Sequence, residues 1–351
     1  MKRNRMADIL KGICIVFVIV THFEWQGNVR MLPFFPYLID MAVPIFMIIS
    51  GYVYSISYET HNITSIGRAY RLDYVIDKLI RYTMPFVLIY VLELVAFYRI
   101  GQTYGLGEII WTFFNGGFGY GSYYFPIMIQ FIFVFPVVYF IVKRFDFAGL
   151  LVCGFLNACF EFLQWVYFIS DVQYRLILFR YLLLIACGCY FYVGKGSLKK
   201  WIGIVSTLVG GAFIGACCYG GYTPHIVKHW TRTSFIAVLF IIPCIGLVLK
   251  SEKCRNLKCP PLEFLGKASY HIFLSQMFFY QFLSYPLSLR MEGRPVVLSL
   301  LISIAASICF GIIFYMIESG ITKLLMKGIH KLEIMRACDR VIAYINNHVT
   351  R

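Results

Sequence analysis

Charge is what this chain has least of. Asp, Glu, Lys and Arg make up 14% of its 351 residues, against about a quarter in soluble globular domains. With 60% apolar residues and a mean hydropathy of +0.74, that shortage excludes a soluble domain and leaves a polytopic membrane protein. Metal-ligand spacing is missing too. The twelve cysteines sit singly or in pairs such as Cys217-Cys218 inside apolar runs. Cys254 and Cys259 flank a basic loop without a second pair to complete a zinc site. Packed or free thiols are therefore expected, and no metal. The sequence carries no phosphate-cradling glycine loop, no nucleophile elbow and no metal-binding histidine pair. Internal repeats, low-complexity tracts and soluble domains are absent as well. No small-residue cleavage site follows the first apolar run, so it reads as a retained helix.

What is present is a series of apolar runs, each of about 20 residues and long enough to cross a bilayer. Ten are counted, at 9–26, 35–57, 82–98, 122–143, 148–168, 174–194, 201–219, 234–250, 264–285 and 296–318. The expected fold is all-α, one integral membrane domain over 1–351 with about ten transmembrane helices. Segment 61–81 reads as amphipathic and interfacial. Segment 105–124, rich in glycine and aromatics, reads as a re-entrant or interfacial loop, and 322–351 as a short basic tail. If the chain crosses ten times, 22 Lys and Arg fall with the termini and 7 on the opposite side. That asymmetry places both termini in the cytoplasm. It also accounts for the net charge of +15 without nucleic acid.

The first run carries ionisable groups that a lipid-facing helix would not choose. Lys11 and His22 are eleven residues apart. At 100° per residue they lie within about 20° on one helix face, roughly 16 Å apart along the axis, with Asp8 near the same stripe. This arrangement suggests a wet or protein-lined path, with an imidazole at one end that can exchange a proton near neutral pH. An interfacial histidine beside an aromatic anchor is the plainer alternative, since Glu24 and Trp25 follow it directly. Lys11 alone would simply snorkel. Asn157, Glu161 and Gln164 share a face of the fifth run, lining a cavity for a hydroxyl-rich substrate or bonding a neighbouring helix. Glu93 and Arg180 are charges within apolar runs, suited to a structural ion pair or a substrate contact. Lys267, His271 and Ser275 align on the ninth run, and Glu318 closes the last, where a basic loop is its expected partner.

Several stretches, in order, resemble the membrane acyltransferase-3 family, integral enzymes that move acyl groups onto sugars and other extracytoplasmic acceptors. Asp8-Ile-Leu-Lys11-Gly12 followed by His22 is similar to the family's basic residue, ten residues, histidine. Phe46-Met-Ile-Ile-Ser50-Gly51-Tyr52 resembles its second-helix segment, and Lys78-Leu-Ile-Arg81 before Pro85 its approach to the third helix. Tyr123-Tyr-Phe-Pro-Ile-Met-Ile-Gln130 stands where the family often has Trp-Phe-Leu before a span, with Tyr124 in place of the usual tryptophan. Segment 265–276 resembles its late Gly-x-x-Ser helix, with Gln276 where many relatives have histidine, and Ile317-Glu318 resembles its terminal segment.

The resemblance implies an O-acyltransferase in the cell membrane, of the bacterial plasma-membrane kind, with no resident cofactor. Its donor would be cytosolic acyl-CoA, most simply acetyl-CoA, and its acceptor a hydroxyl of a cell-surface carbohydrate. It implies His22 as the catalytic residue, acting as general base or as a transient acyl carrier. Lys11 and Arg81 would contact the donor's phosphates, with Asp8 orienting Lys11. Glu24, Ser50, Tyr124, Glu161, Gln164 and Arg180 are the expected acceptor or pocket residues. A transporter or flippase without acyl chemistry is the rival reading, against which the lack of repeat symmetry counts.

Overall fold

A computed structural model describes residues 4–25, 27–119, 121, 123–195, 199–227, 229–283 and 295–331, with side chains through 325. Among these, helices account for every regular element. In chain order they are α1 (Arg5–His22), α2 (Ala42–Thr60), α3 (Ile66–Ala69), α4 (Leu72–Arg99) and α5 (Leu106–Phe114). There follow α6 (Tyr124–Phe145), α7 (Phe147–Val166), α8 (Asp171–Leu176), α9 (Leu182–Val193) and α10 (Lys200–Tyr219). The series closes with α11 (Ile241–Lys250), α12 (Glu252–Arg255), α13 (Pro260–Phe278) and α14 (Val296–Lys331). Two single-turn π-helices, Phe35–Ile39 and Phe279–Leu283, run into α2 and out of α13.

Local chemistry explains the boundaries. Asn4 caps α1 by accepting from the Ala7 N–H at 3.3 Å, with Asp8 in the first turn. Ser170 and Gln173 form a reciprocal capping box on α8. Pro260 and Pro261 start α13, where a missing N–H costs nothing.

Each of the ten apolar runs contains a helix, but only seven helical stretches among the described residues are long and apolar enough to cross a membrane. Leu178–Val193 is apolar but shorter. α1 and α13 lie outside the seven. α1 carries Arg5, Asp8 and Lys11 within 18 residues, and α13 carries Glu263, Lys267 and His271. Both are packed inside the bundle, where protein replaces lipid around those groups. α10 and α14 lie at the periphery and present residues such as Leu208 and Leu301 outward. Segment 105–124 contains α5, whose Leu106, Trp111 and Phe114 are exposed as an interfacial helix requires. The last run continues unbroken to Lys331, so the expected tail begins as helix, and 332–351 lies outside the described residues.

Glycines set the centre of the bundle. A Cβ on Gly266 would stand 1.9 Å from the Asp8 carbonyl oxygen, and one on Gly12 would stand 2.3 Å from that of Leu262. α1 and α13 thus touch backbone to backbone. α2 and α9 do the same through Gly51 against Ile185 and Gly188 against Ile48. In lipid, where apolar burial gives little drive, such close approach is a main source of helix association.

Polar contacts gather at two ends. At one, Asn4 donates to the Tyr52 hydroxyl (2.9 Å), Lys143 pairs with Glu59 (2.6 Å) and the Lys195 N–H donates to Asp146 (3.1 Å). At the other, Arg30 donates to the Thr21 carbonyl (2.6 Å) and Arg232 pairs with Asp40 (3.3 Å). There too His229 approaches Asp171 (3.3 Å) and Gln164 donates to the Ile226 carbonyl (2.6 Å). Each contact joins segments that the alternation of runs assigns to the same side.

Candidate active site

His22 is the last residue of α1, half-buried at the second of these ends. Its Nδ1 lies 2.8 Å from the Val18 carbonyl. A carbonyl only accepts, so in the neutral ring Nδ1 carries the proton and Nε2 is left with its lone pair. The ring opens onto a cavity of about 680 Å³, walled by Val18 and Thr21 of α1, Asp40, Arg175, Trp230, Arg232 and Phe273 among others. One π-turn abuts it and the other abuts the His22 ring. One ends at Asp40, its i→i+5 bond running from the Asp40 N–H to the Phe35 carbonyl at 2.9 Å. The other carries Tyr280, whose ring centroid lies 6.3 Å from that of His22 and whose hydroxyl donates to the Ile19 carbonyl at 3.1 Å. Such turns recur at functional sites because they re-aim side chains that a regular helix would point elsewhere.

Behind the wall, Arg180 is 4% exposed and boxed by rings, with its Cζ 4.5 Å from the Tyr174 centroid and 4.7 Å from those of Tyr181 and Trp230. Glu161 accepts from the Tyr174 hydroxyl at 2.7 Å. Arg180 and Glu93 do not pair: Glu93 instead accepts from the Phe118 N–H at 3.5 Å. Trp230 holds its place in the left-handed region (φ +50°, ψ +44°), a conformation costing a bulky residue on the order of 1–3 kcal/mol. Its ring packs edge-on against Tyr123 at 5.5 Å.

Other expected residues separate by role. Gln164 reaches the neighbouring loop and lines a second cavity of about 780 Å³ that shares Thr231 and Arg232 with the first. Asn157 accepts from the Leu183 N–H (3.3 Å), tying α7 to α9. Glu24 is exposed and outside the cavity lining. Ser50 and Tyr124 bond each other in the core, and the Tyr124 ring lies 4.8 Å from that of Phe273 in the cavity floor. Glu318 pairs with His271 at 2.7 Å rather than with a basic loop.

The lining does not extend down α1 to Lys11. Lys11 and Asp8 both have partners, and Asp8 is buried at the contact of α1 with α13. Arg81 is exposed on α4, one turn from Lys78. The Lys78 ammonium lies 4.4 Å from the Tyr54 ring and 5.1 Å from that of Tyr74. From there a column of phenols climbs the bundle. Tyr54 donates to the Tyr82 hydroxyl (3.0 Å), and Tyr270 to the Tyr82 carbonyl (2.8 Å). The Tyr270 and Tyr124 rings then meet at 6.1 Å beneath Phe273. Aromatic spacing gave no hint of this column, whose members come from α2, α4, α6 and α13.

These features define a multi-pass helical membrane protein with a tautomer-fixed imidazole facing a cavity of mixed apolar and charged lining at one end. The family model of the acyltransferase domain, acyltransferase-3, matches residues 5–316, and the chain belongs to that family. No curated protein and no solved structure matches it.

Proposed function

We propose that this acyltransferase moves an acetyl group from cytosolic acetyl-CoA to a hydroxyl of a cell-surface carbohydrate in the bacterial plasma membrane. The end bearing Asn4 faces the cytosol with both termini, and the chain crosses ten times. His22 is the catalytic residue. Nε2 takes the proton of the acceptor hydroxyl as its oxygen attacks the thioester carbonyl. The C–S bond then breaks, and the imidazolium returns the proton to the departing coenzyme A thiolate. Lys11, Arg81 and Asp8 serve the donor. Ser50, Tyr124 and the phenol column mark the way its acyl end takes toward the cavity. Glu161, Gln164 and Arg180 shape the acceptor side, with Glu24 at its outer margin.

The observation that carries this reading is the bond from the His22 Nδ1 to the Val18 carbonyl, which leaves Nε2 as a base at a cavity wall. In vesicles supplied with labelled acetyl-CoA, His22→Ala is expected to lose transfer by at least about 10²-fold while expressing and melting as the parent. Near-normal transfer by that variant overturns the assignment. Intact solute flux insensitive to His22→Ala would establish a carrier instead. Lys11→Ala is expected to raise KM for acetyl-CoA with little change in kcat, and an unchanged KM removes Lys11 from the donor site.

A further inference from the structure

Three arginines line the His22 cavity: Arg30, Arg175 and Arg232. The carboxylates in the wall are Asp40 and Asp171, and Glu161 lies behind it. Asp40 is taken by Arg232 at 3.3 Å. Asp171 leans toward His229 at 3.3 Å, and Glu161 is held by the Tyr174 hydroxyl. Among the described residues, no carboxylate lies within ion-pair distance of Arg30 or Arg175. The Arg175 Nε is buried without a hydrogen-bond partner, and so is Nη1 of Arg180 behind the aromatic box. Buried guanidinium donors left unmade are costly, and an oxyanion bound in the cavity would satisfy that of Arg175, which lines it.

The charge distribution along the chain points the same way. Membrane insertion depletes one side of cations. Of the seven on the sparse side, Arg30, Arg99, Arg175 and Arg232 are described, and all but Arg99 line this cavity. Arginine, with its fixed fork of donors, is the residue suited to carboxylate or phosphate.

We propose that the acceptor is anionic. A carboxylate or phosphate close to the reacting hydroxyl docks on Arg30 and Arg175, with Arg180 deepening the positive potential behind them, and so brings the hydroxyl to His22. This rests on the acyltransferase reading of the same cavity. Two sources supply that chemistry, a sugar acid and a phosphodiester-linked polyol.

Binding is measured on full-length His22→Ala protein in detergent, so that turnover plays no part. The probes are an oligogalacturonide, a glycerol-phosphate oligomer and a neutral dextran oligomer of matched length. At least one anionic probe is expected to bind about tenfold or more tightly than dextran, the scale of one charge-assisted contact. Which one does so identifies the source. Arg175→Gln, and separately Arg30→Gln, should each reduce the preference severalfold with unchanged melting. Equal binding of neutral and anionic probes, or a preference surviving both substitutions, overturns the proposal. Displacement of the bound oligomer by coenzyme A would also overturn it, by assigning these arginines to the donor. The two readings fail separately: His22-dependent acetylation of dextran alone refutes the anionic acceptor and keeps the enzyme. Arginine-dependent binding without any acyl transfer by the parent protein does the reverse.

Discussion

At the scale of single residues, Trp230 shows how position and chemistry are bound together. Its left-handed backbone aims the indole over Arg180 and into the cavity wall. Trp230→Gly relieves the strain and loses ring burial, opposing effects of about 1–3 kcal/mol each. The expected outcome is a melting temperature close to the parent's with a marked loss of acceptor-dependent transfer. Thermal melting beside single-turnover rates checks it, and a lowered melting point with intact transfer would make the ring purely structural. His22 was legible because an imidazole closing an apolar run needs a polar partner or water that lipid cannot supply. Trp230 was not, because nothing in an indole's neighbours announces a positive φ. Asp40 and Arg232 could not be matched either, being 192 residues apart. Glu318 stands out in the sequence as a charge closing an apolar run, but His271 as its partner emerges only when α13 and α14 lie side by side.

At the scale of elements, α1 and α13 depend on each other. Adding one methyl at Gly266 drives into the Asp8 backbone, which has no rotamer to change. Gly266→Ala should cost on the order of 1–3 kcal/mol, seen as a lower melting temperature. Gly67→Ala, where a Cβ meets nothing within 4 Å, is the matched control. Equal effects from the two would remove close packing as the cause. The positions of helices followed from apolar runs, because lipid and core reward the same side chains. Which helices sit inside did not follow, since α1 and α13 are less apolar than the peripheral α14 and are housed by glycine contacts that hydropathy does not register.

At the scale of the whole molecule, the proposed ten crossings put the end bearing Asn4 in the cytosol and the end bearing His22 outside. An epitope inserted after Glu24 is expected to bind antibody on intact cells. One inserted after Lys253 should require permeabilisation, and the opposite pattern would invert the topology and strand His22 on the donor side. The cavity lining stops short of Lys11 on α1, and the phenol column beside it is built from four helices. Periodicity within one helix sees only that helix's own face. A chain of contacts assembled from four becomes visible only when they are packed.

Gly12 and Gly266 have a kinetic corollary. With no side-chain cushion between them, α1 and α13 form a fixed post, and the imidazole it bears is stationary while its reactants travel. On the proposed two-sided reaction, turnover is then expected to follow the arrival and departure of donor and acceptor, and not a sliding of α1 against α13.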